Sequence, residues 1–321
     1  MKKLLMILSA CLFLAPAAFG QDFIKLLRTG TPEQVQAAID AGAKVNARGS
    51  GGMTPIMIAA KFNSNPEVIT TLLKAGARVN DESDGPATAL MYAAEMNSNP
   101  EVITTLLKAG AKDRPNLPAG MEAVETALMW AAENPNPEVV AALLTAGGKI
   151  NEKDEENNTP LMFAAKSNPN AEVITNLLKA GARLDDKGAL NQTALLWAAR
   201  FNKNPEVIEV LLKAGAKTDD KDLNGKTPMI SAGSNPSPEV VAALLKAGGK
   251  INEKDAAGRT ALMWAAWGNP NPAVVMFLLN AGADGKLKSS DGKTAFDYAA
   301  DNFNLQKGTD AYKALQSAAG Q

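Results

Sequence analysis

Apolar residues fall along this chain as pairs of short helical stripes separated by polar connections. In Thr88–Met96, Leu90, Ala93 and Ala94 recur at i, i+3 and i+4, the spacing of one face of a helix. A second stripe follows within a few residues: the segments VITTLLKAG and VVAALLKAG set Val, Ile and a Leu-Leu pair on one side, lysine in the last turn and glycine at the stop. Both stripes carry start signals. Thr54 and its equivalents precede the first helix, in some units followed by a proline suited to the first helical position. Asn65-Pro66-Glu67, Asn99-Pro100-Glu101, Asn136-Pro137-Glu138, Asn204-Pro205-Glu206 and Ser237-Pro238-Glu239 precede the second. There the polar residue caps, proline fills the first turn and the carboxylate faces the positive helix end. The GAKVN or GGKIN segment after each glycine, with a polar Gly- or Asp-containing stretch, predicts an extended finger leading to the next threonine.

These pairs repeat. TPIMIAA, TALMYAA, TALMWAA, TPLMFAA, TALLWAA, TPMISAG, TALMWAA and TAFDYAA begin at 54, 88, 126, 159, 193, 227, 260 and 294, in steps of 34, 38, 33, 34, 34, 33 and 34. Residues 22–48 hold a helix pair without that opening and read as an N-terminal cap. The last unit departs from the pattern at Asp297 and Asp301, and Gly308-Thr309-Asp310 opens a final helix through Ala319. The expected organisation is a leader (1–20), an N-terminal capping unit (21–48), seven central units (49–290) and a C-terminal capping unit with the final helix (291–321). Each helix pair is expected to bury its apolar side against the adjoining pair, giving an all-α solenoid of about nine helix-turn-helix units with extended finger loops.

On the eight aligned openings and their period, the chain resembles the ankyrin-repeat family, whose unit of about 33 residues opens TPLHxA. The resemblance implies a protein-recognition scaffold whose partner-facing surface includes the positions after each Ala-Ala pair and the finger tips. Those positions hold Lys61, Phe62, Glu95, Met96, Glu133, Lys166, Arg200, Phe201 and Trp267. One departure is systematic. The family's histidine is replaced by Met57, Met91, Met129, Met162, Leu196, Ile230, Met263 and Asp297, which removes histidine's hydrogen bonds and leaves the space to thioether packing.

Composition narrows the chemistry. The 321 residues contain no histidine and one cysteine, Cys11, so imidazole-dependent catalytic triads, HExxH sites, cysteine zinc sites and intramolecular disulfides are excluded. Met1–Gly20 reads as a secretory leader: Lys2 and Lys3, an apolar run from Leu4 to Leu14, then Ala18-Phe19-Gly20 before a cut at Gln21. Leu8-Ser9-Ala10-Cys11 resembles a lipobox, which would make the chain a lipoprotein tethered through Cys11, but the apolar stretch continues past the cysteine. Export from a bacterial cell to the periplasm or beyond is the expectation. Without the leader the chain has 31 basic and 34 acidic residues, offering a nucleic acid no net attraction. No further membrane span, no cofactor and no metal are expected, and the protein is expected to act as a monomer on an unidentified protein.

Other motifs yield little. Asp220–Gly225 matches the first half of a calcium loop but lacks its acidic twelfth ligand, so a solvated tip is expected. The GKT triplets at 225–227 and 292–294 lack the phosphate loop's first glycine. Asp185-Asp186 and Glu152–Glu156 are read as solubilising tips. Ile58, Tyr92, Trp130, Phe163, Trp197, Ser231, Trp264 and Tyr298 form a row at the flank of the core stripe, chiefly for packing between units and secondarily as anchors for a partner. The 38-residue step lengthens one finger, Asp113–Glu122, making Arg114, Leu117 and Met121 candidate contacts. An enzyme or small-ligand binder on the same scaffold is the alternative, and no catalytic residue is assigned.

Overall fold

The computed structural model describes residues 16–112 and 126–320, with side chains from Asp22 onward. Eighteen α-helices and no strands occur among the described residues. They belong to two compact units, one of Met1–Gly120 with Ala141–Gly147, the other of Met121–Val140 with Gly148–Gln321.

The first unit begins with α1 (Pro16–Thr29) and α2 (Pro32–Asp40), followed by the pairs α3 (Pro55–Phe62) with α4 (Pro66–Lys74) and α5 (Ala89–Met96) with α6 (Pro100–Lys108). Helix α1 runs through the expected cut at Gly20, but its buried residues Phe23 and Leu27 lie beyond it. Helix α8 (Pro137–Thr145) contributes its start to the second unit and its end to the first. The second unit continues with α7 (Ala127–Ala131), α9 (Pro160–Ser167), α10 (Ala171–Lys179), α11 (Ala194–Phe201), α12 (Pro205–Lys213), α13 (Pro228–Ala232), α14 (Pro238–Lys246), α15 (Ala261–Gly268), α16 (Pro272–Asn280), α17 (Ala295–Ala299) and α18 (Asp310–Ala319). First helices pack on first helices of neighbouring repeats and second on second, as in α3 with α5 and α10 with α12.

The expected caps are largely formed. Thr88, Thr193, Thr227 and Thr260 accept from the backbone N–H three residues on, and Asn65, Asn99, Asn170 and Asn204 accept at the second helices. Thr54 and Thr159 depart from this: their hydroxyl oxygens are buried without a hydrogen-bond partner. Ser237 departs too, because its hydroxyl donates to the Glu239 carboxylate at 2.6 Å instead of capping. Gly76, Gly181 and Gly215 end their helices at φ of 89°, 94° and 102°, a conformation glycine adopts without a Cβ penalty.

The 33-residue steps have a local cause. The units opening at Thr126, Thr227 and Thr294 reach their next asparagine one residue sooner, and their first helices are five residues long where the others have eight.

The methionines in the histidine position, Met57, Met91, Met129, Met162 and Met263, are buried, filling the gap as expected. The loss of hydrogen bonding is not complete, however, since the Thr54 N–H donates to Met57 Sδ at 3.3 Å. In the last unit Asp297 restores a full capping box: Thr294 N–H donates to its carboxylate at 2.7 Å and its own N–H returns to Thr294.

A polar ladder runs through the apolar interior. Asn202 Nδ2 donates to the Ala165 and Asn168 carbonyls of the preceding repeat at 3.1 and 2.9 Å, while its Oδ1 accepts from Asn204 N–H at 2.9 Å. Asn63, Asn97, Asn168, Asn235, Asn269 and Asn302 repeat this arrangement, and all are buried. The fingers carry a second ladder. Asn46, Asn80, Asn151 and Asn252 each donate to a glycine carbonyl thirty residues on and accept from a backbone N–H thirty-two residues on.

Candidate functional site

Helix-one ends and finger bases bring cations onto aromatic rings. In the first unit Lys61 pairs with Glu95 of the next repeat at 3.2 Å and lies 5.0 Å from the Tyr92 ring centre, while Arg28 covers Phe62 at 4.1 Å. Phe62 and Met96 keep 39% and 53% of their surfaces exposed, unlike the fully buried Met57 and Met91 beside them. The Tyr92 hydroxyl donates to Ser83 Oγ at 3.2 Å.

In the second unit Glu133 accepts from Ser167 Oγ at 3.0 Å, and Lys166 lies 4.8 Å from the Trp197 ring centre. Trp197 stacks at 5.6 Å on Phe201, which Arg200 approaches at 4.9 Å. Further along, Trp264, Trp267 and Tyr298 form a tilted stack with centroid separations of 5.2 and 6.2 Å. Lys226 and Arg259 both contact Trp264, at 3.5 and 4.3 Å. Phe201 and Trp267 are each 42% exposed. The candidate contacts of the first unit are thus gathered at one pair of helix ends, and those of the second unit are spread over successive repeats. Arg114, Leu117, Met121 and Cys11 lie outside the described residues.

The aromatic row is half-buried at the flank of the core, as its helical position implies, except that Ser231 is buried. Nine residues before three of the rings stands a residue that supplies a hydrogen-bond acceptor: Ser83 for Tyr92, Asp255 for Trp264 at 3.0 Å, Ser289 for Tyr298. For Trp197 that position is Gly188, where a Cβ would meet Asn158 Oδ1 at 2.3 Å. The buried Trp197 indole N–H accordingly has no acceptor.

Several finger carboxylates are not the solvated tips expected. Asp222, inside the calcium-loop match, is buried and accepts the Asn224 and Lys226 backbone N–H groups at 2.8 and 2.9 Å. Asp186 is largely buried and pairs with Lys153 at 2.8 Å. Among the described residues, no three Asp, Glu, Cys or His side chains group to hold a metal.

Lys226, Arg259 and Arg28 complete the surface and were not singled out by the sequence. A signal existed: the residue before the helix-one threonine is Lys226, Arg259 and Lys293 in the last three openings but Met53, Ala87, Glu125, Asn158 and Gln192 earlier. The two lysines are the middle residues of the GKT triplets; Lys226 lies over Trp264 in the first helix of the next repeat, and Lys293 over Tyr298 in the helix it precedes.

Burial pushes the Lys226 ammonium below its ordinary pKa of 10.5; Arg200 and Arg259 add to this, while Asp222 and Asp255 oppose it. Native protein thus releases this proton at lower pH than the unfolded chain, which binds more protons between the two values, so stability rises with pH there. Wild type should gain stability relative to K226M as pH increases from 8 towards 10.5. Parallel urea titrations measure the difference, and a constant gap would refute the coupling.

Stacked helix-turn-helix repeats with mixed aromatic and charged side chains at their helix ends define a repeat scaffold. A family profile described as "Ankyrin repeats (3 copies)" matches residues 23–118, 113–188, 164–255 and 229–318. The chain belongs to the ankyrin-repeat family, whose members are generally protein-interaction scaffolds and typically non-catalytic. Among solved structures, the crystal structure of the human ASB11 ankyrin repeat domain is similar, with a TM-score of 0.60 and 24% identity, covering 74% of this chain and 99% of that one. No curated protein matches. Among the described residues no helix is long and apolar enough to cross a membrane.

Proposed function

We propose that this chain is an exported bacterial scaffold that binds a partner protein through its helix-one ends and finger loops. One observation carries the reading: Phe62, Met96, Phe201 and Trp267 stay exposed at the ends of first helices that are otherwise largely buried, and the three rings among them each lie beside a cation. Rigid apolar anchors within a charged rim are the usual energetic centres of protein interfaces. Crosslinked pulldown from an envelope extract tests it. Wild type should capture a discrete protein that the F201A/W267A double variant captures at least tenfold less; equal capture would overturn the reading. Replacing Arg114, Leu117 and Met121 together examines the long finger in the same assay.

Export rests on the leader pattern and on Phe23 and Leu27, which hold α1 in place after a cut at Gly20. Mass spectrometry of the exported protein should find Gln21 at the N-terminus. A diacylglyceryl group on Cys11 would establish a tethered form instead.

A further inference from the structure

In the second unit, Lys226 is an ammonium without a counter-ion. It is 9% exposed and lies 3.5 Å from the centre of Trp264, and among the described residues no carboxylate pairs with it. Two carboxylates act on it electrostatically, but both are already engaged. Asp255 accepts from Arg259 Nε at 3.2 Å, from the Trp264 indole at 3.0 Å and from the backbone N–H groups of Ala257 and Arg259. Asp222 binds the backbone of its own loop. Arg200, from two helices earlier, adds like charge where an opposite charge would be favourable, and it too forms no ion pair among the described residues. A buried cation is costly unless paired. The cation–π contact with Trp264 offsets part of that cost, and the Nζ atom, without a hydrogen-bond partner in the protein, keeps contact with solvent.

Two further cations, Arg200 and Arg259, act on Lys226 electrostatically. The cations are also distributed one per repeat: Lys166 and Arg200 at the ends of α9 and α11, then Lys226, Arg259 and Lys293 before α13, α15 and α17. A series of single positive charges interleaved with aromatic faces matches an extended chain bearing carboxylates at intervals better than one compact anion. A nucleic acid is disfavoured by the net charge of −1 over the whole chain.

We propose that Arg200, Lys226 and Arg259 form a seat for the carboxylate side chains of an acidic stretch in the partner polypeptide, one carboxylate serving as the counter-ion that Lys226 lacks within the protein. This rests on the scaffold reading and supplies the chemistry of its partner. Specificity follows from the unpaired cation: a partner that covers it without a carboxylate strips water from the Lys226 ammonium and gives nothing in return, whereas an acidic partner supplies the counter-ion.

The test is fluorescence anisotropy with fluorescein-labelled (Glu-Gly)6, (Lys-Gly)6 and dT12 on the full chain. Wild type should bind (Glu-Gly)6 alone, more weakly as salt rises. K226M and R200M should each weaken binding at least fivefold, K226R should stay within twofold, and K246M, on the exposed end of α14, should match wild type. Because R200M alters a side chain outside the core, it reports on the seat even where K226M perturbs folding. Absent (Glu-Gly)6 binding, equal binding by K226M and R200M, or tighter binding of dT12 would each overturn the acidic seat. Capture in the pulldown together with no peptide binding would overturn this assignment alone, while loss of capture strikes the scaffold reading.

Discussion

Replacing Asn202 with alanine should lower the stability of the second unit by about 3 kcal/mol, more than most truncations of a half-exposed ring. The side chain makes three hydrogen bonds, two to carbonyls of the preceding repeat and one to its own loop. Its removal leaves the Ala165 and Asn168 carbonyls and the Asn204 N–H short of a partner, and each unsatisfied buried group costs about 1–3 kcal/mol. No compensating apolar gain is available, because alanine leaves a void where the amide was. Stability of a repeat array is roughly a sum of nearest-neighbour terms, so the loss falls on one junction and should separate unfolding into two steps. Urea denaturation followed by circular dichroism measures both effects. A change below about 1 kcal/mol would show that water replaces the amide at no cost.

Gly233→Ala is the second large effect, of about 2–3 kcal/mol, and it acts by contact rather than by conformation. Gly233 has ordinary helical angles, φ −56° and ψ −28°, where alanine is intrinsically preferred by about 1 kcal/mol. The added Cβ, however, would lie 2.3 Å from the Ala261 carbonyl oxygen and 3.0 Å from its carbon and Cα. All of these are main-chain atoms, so no rotamer relieves the clash and α13 must move from α15. The shift also strains the Asn269 donation to the Gly233 carbonyl, now 2.8 Å. Calorimetry should show a clear fall in melting temperature; an unchanged or raised value would mean the two helices separate freely.

The backbone plan was legible because it is local. Threonine, asparagine-proline and glycine mark helix starts and stops within a few residues of where they act, and a period of 33 or 34 multiplies the signal. The asparagine ladder was equally periodic but escaped notice: Asn63 and Asn202 stand two residues before the Asn-Pro caps and read as loop, while their acceptors lie 33 to 37 residues away. The candidate surface was half legible. Residues following each Ala-Ala pair lie at helix ends as the resemblance implies, but the approach of Lys226 to Trp264, 38 positions later, depends on how one repeat is registered on the next. The inward turn of Asp222 and Asp186 was hidden for the same reason, since composition distinguishes no charged tip from a carboxylate that closes its own loop.

The interior asparagines also make the joints interchangeable. Asn168, Asn202, Asn235 and Asn269 each grip equivalent main-chain oxygens on the repeat before them. A segment cut from one such residue to just before the next could be removed or duplicated, and the newly adjacent neighbours would meet through the same grip. Gene-level gain and loss of whole segments is thereby tolerated, and the length of the array can change while the character of each joint is inherited intact.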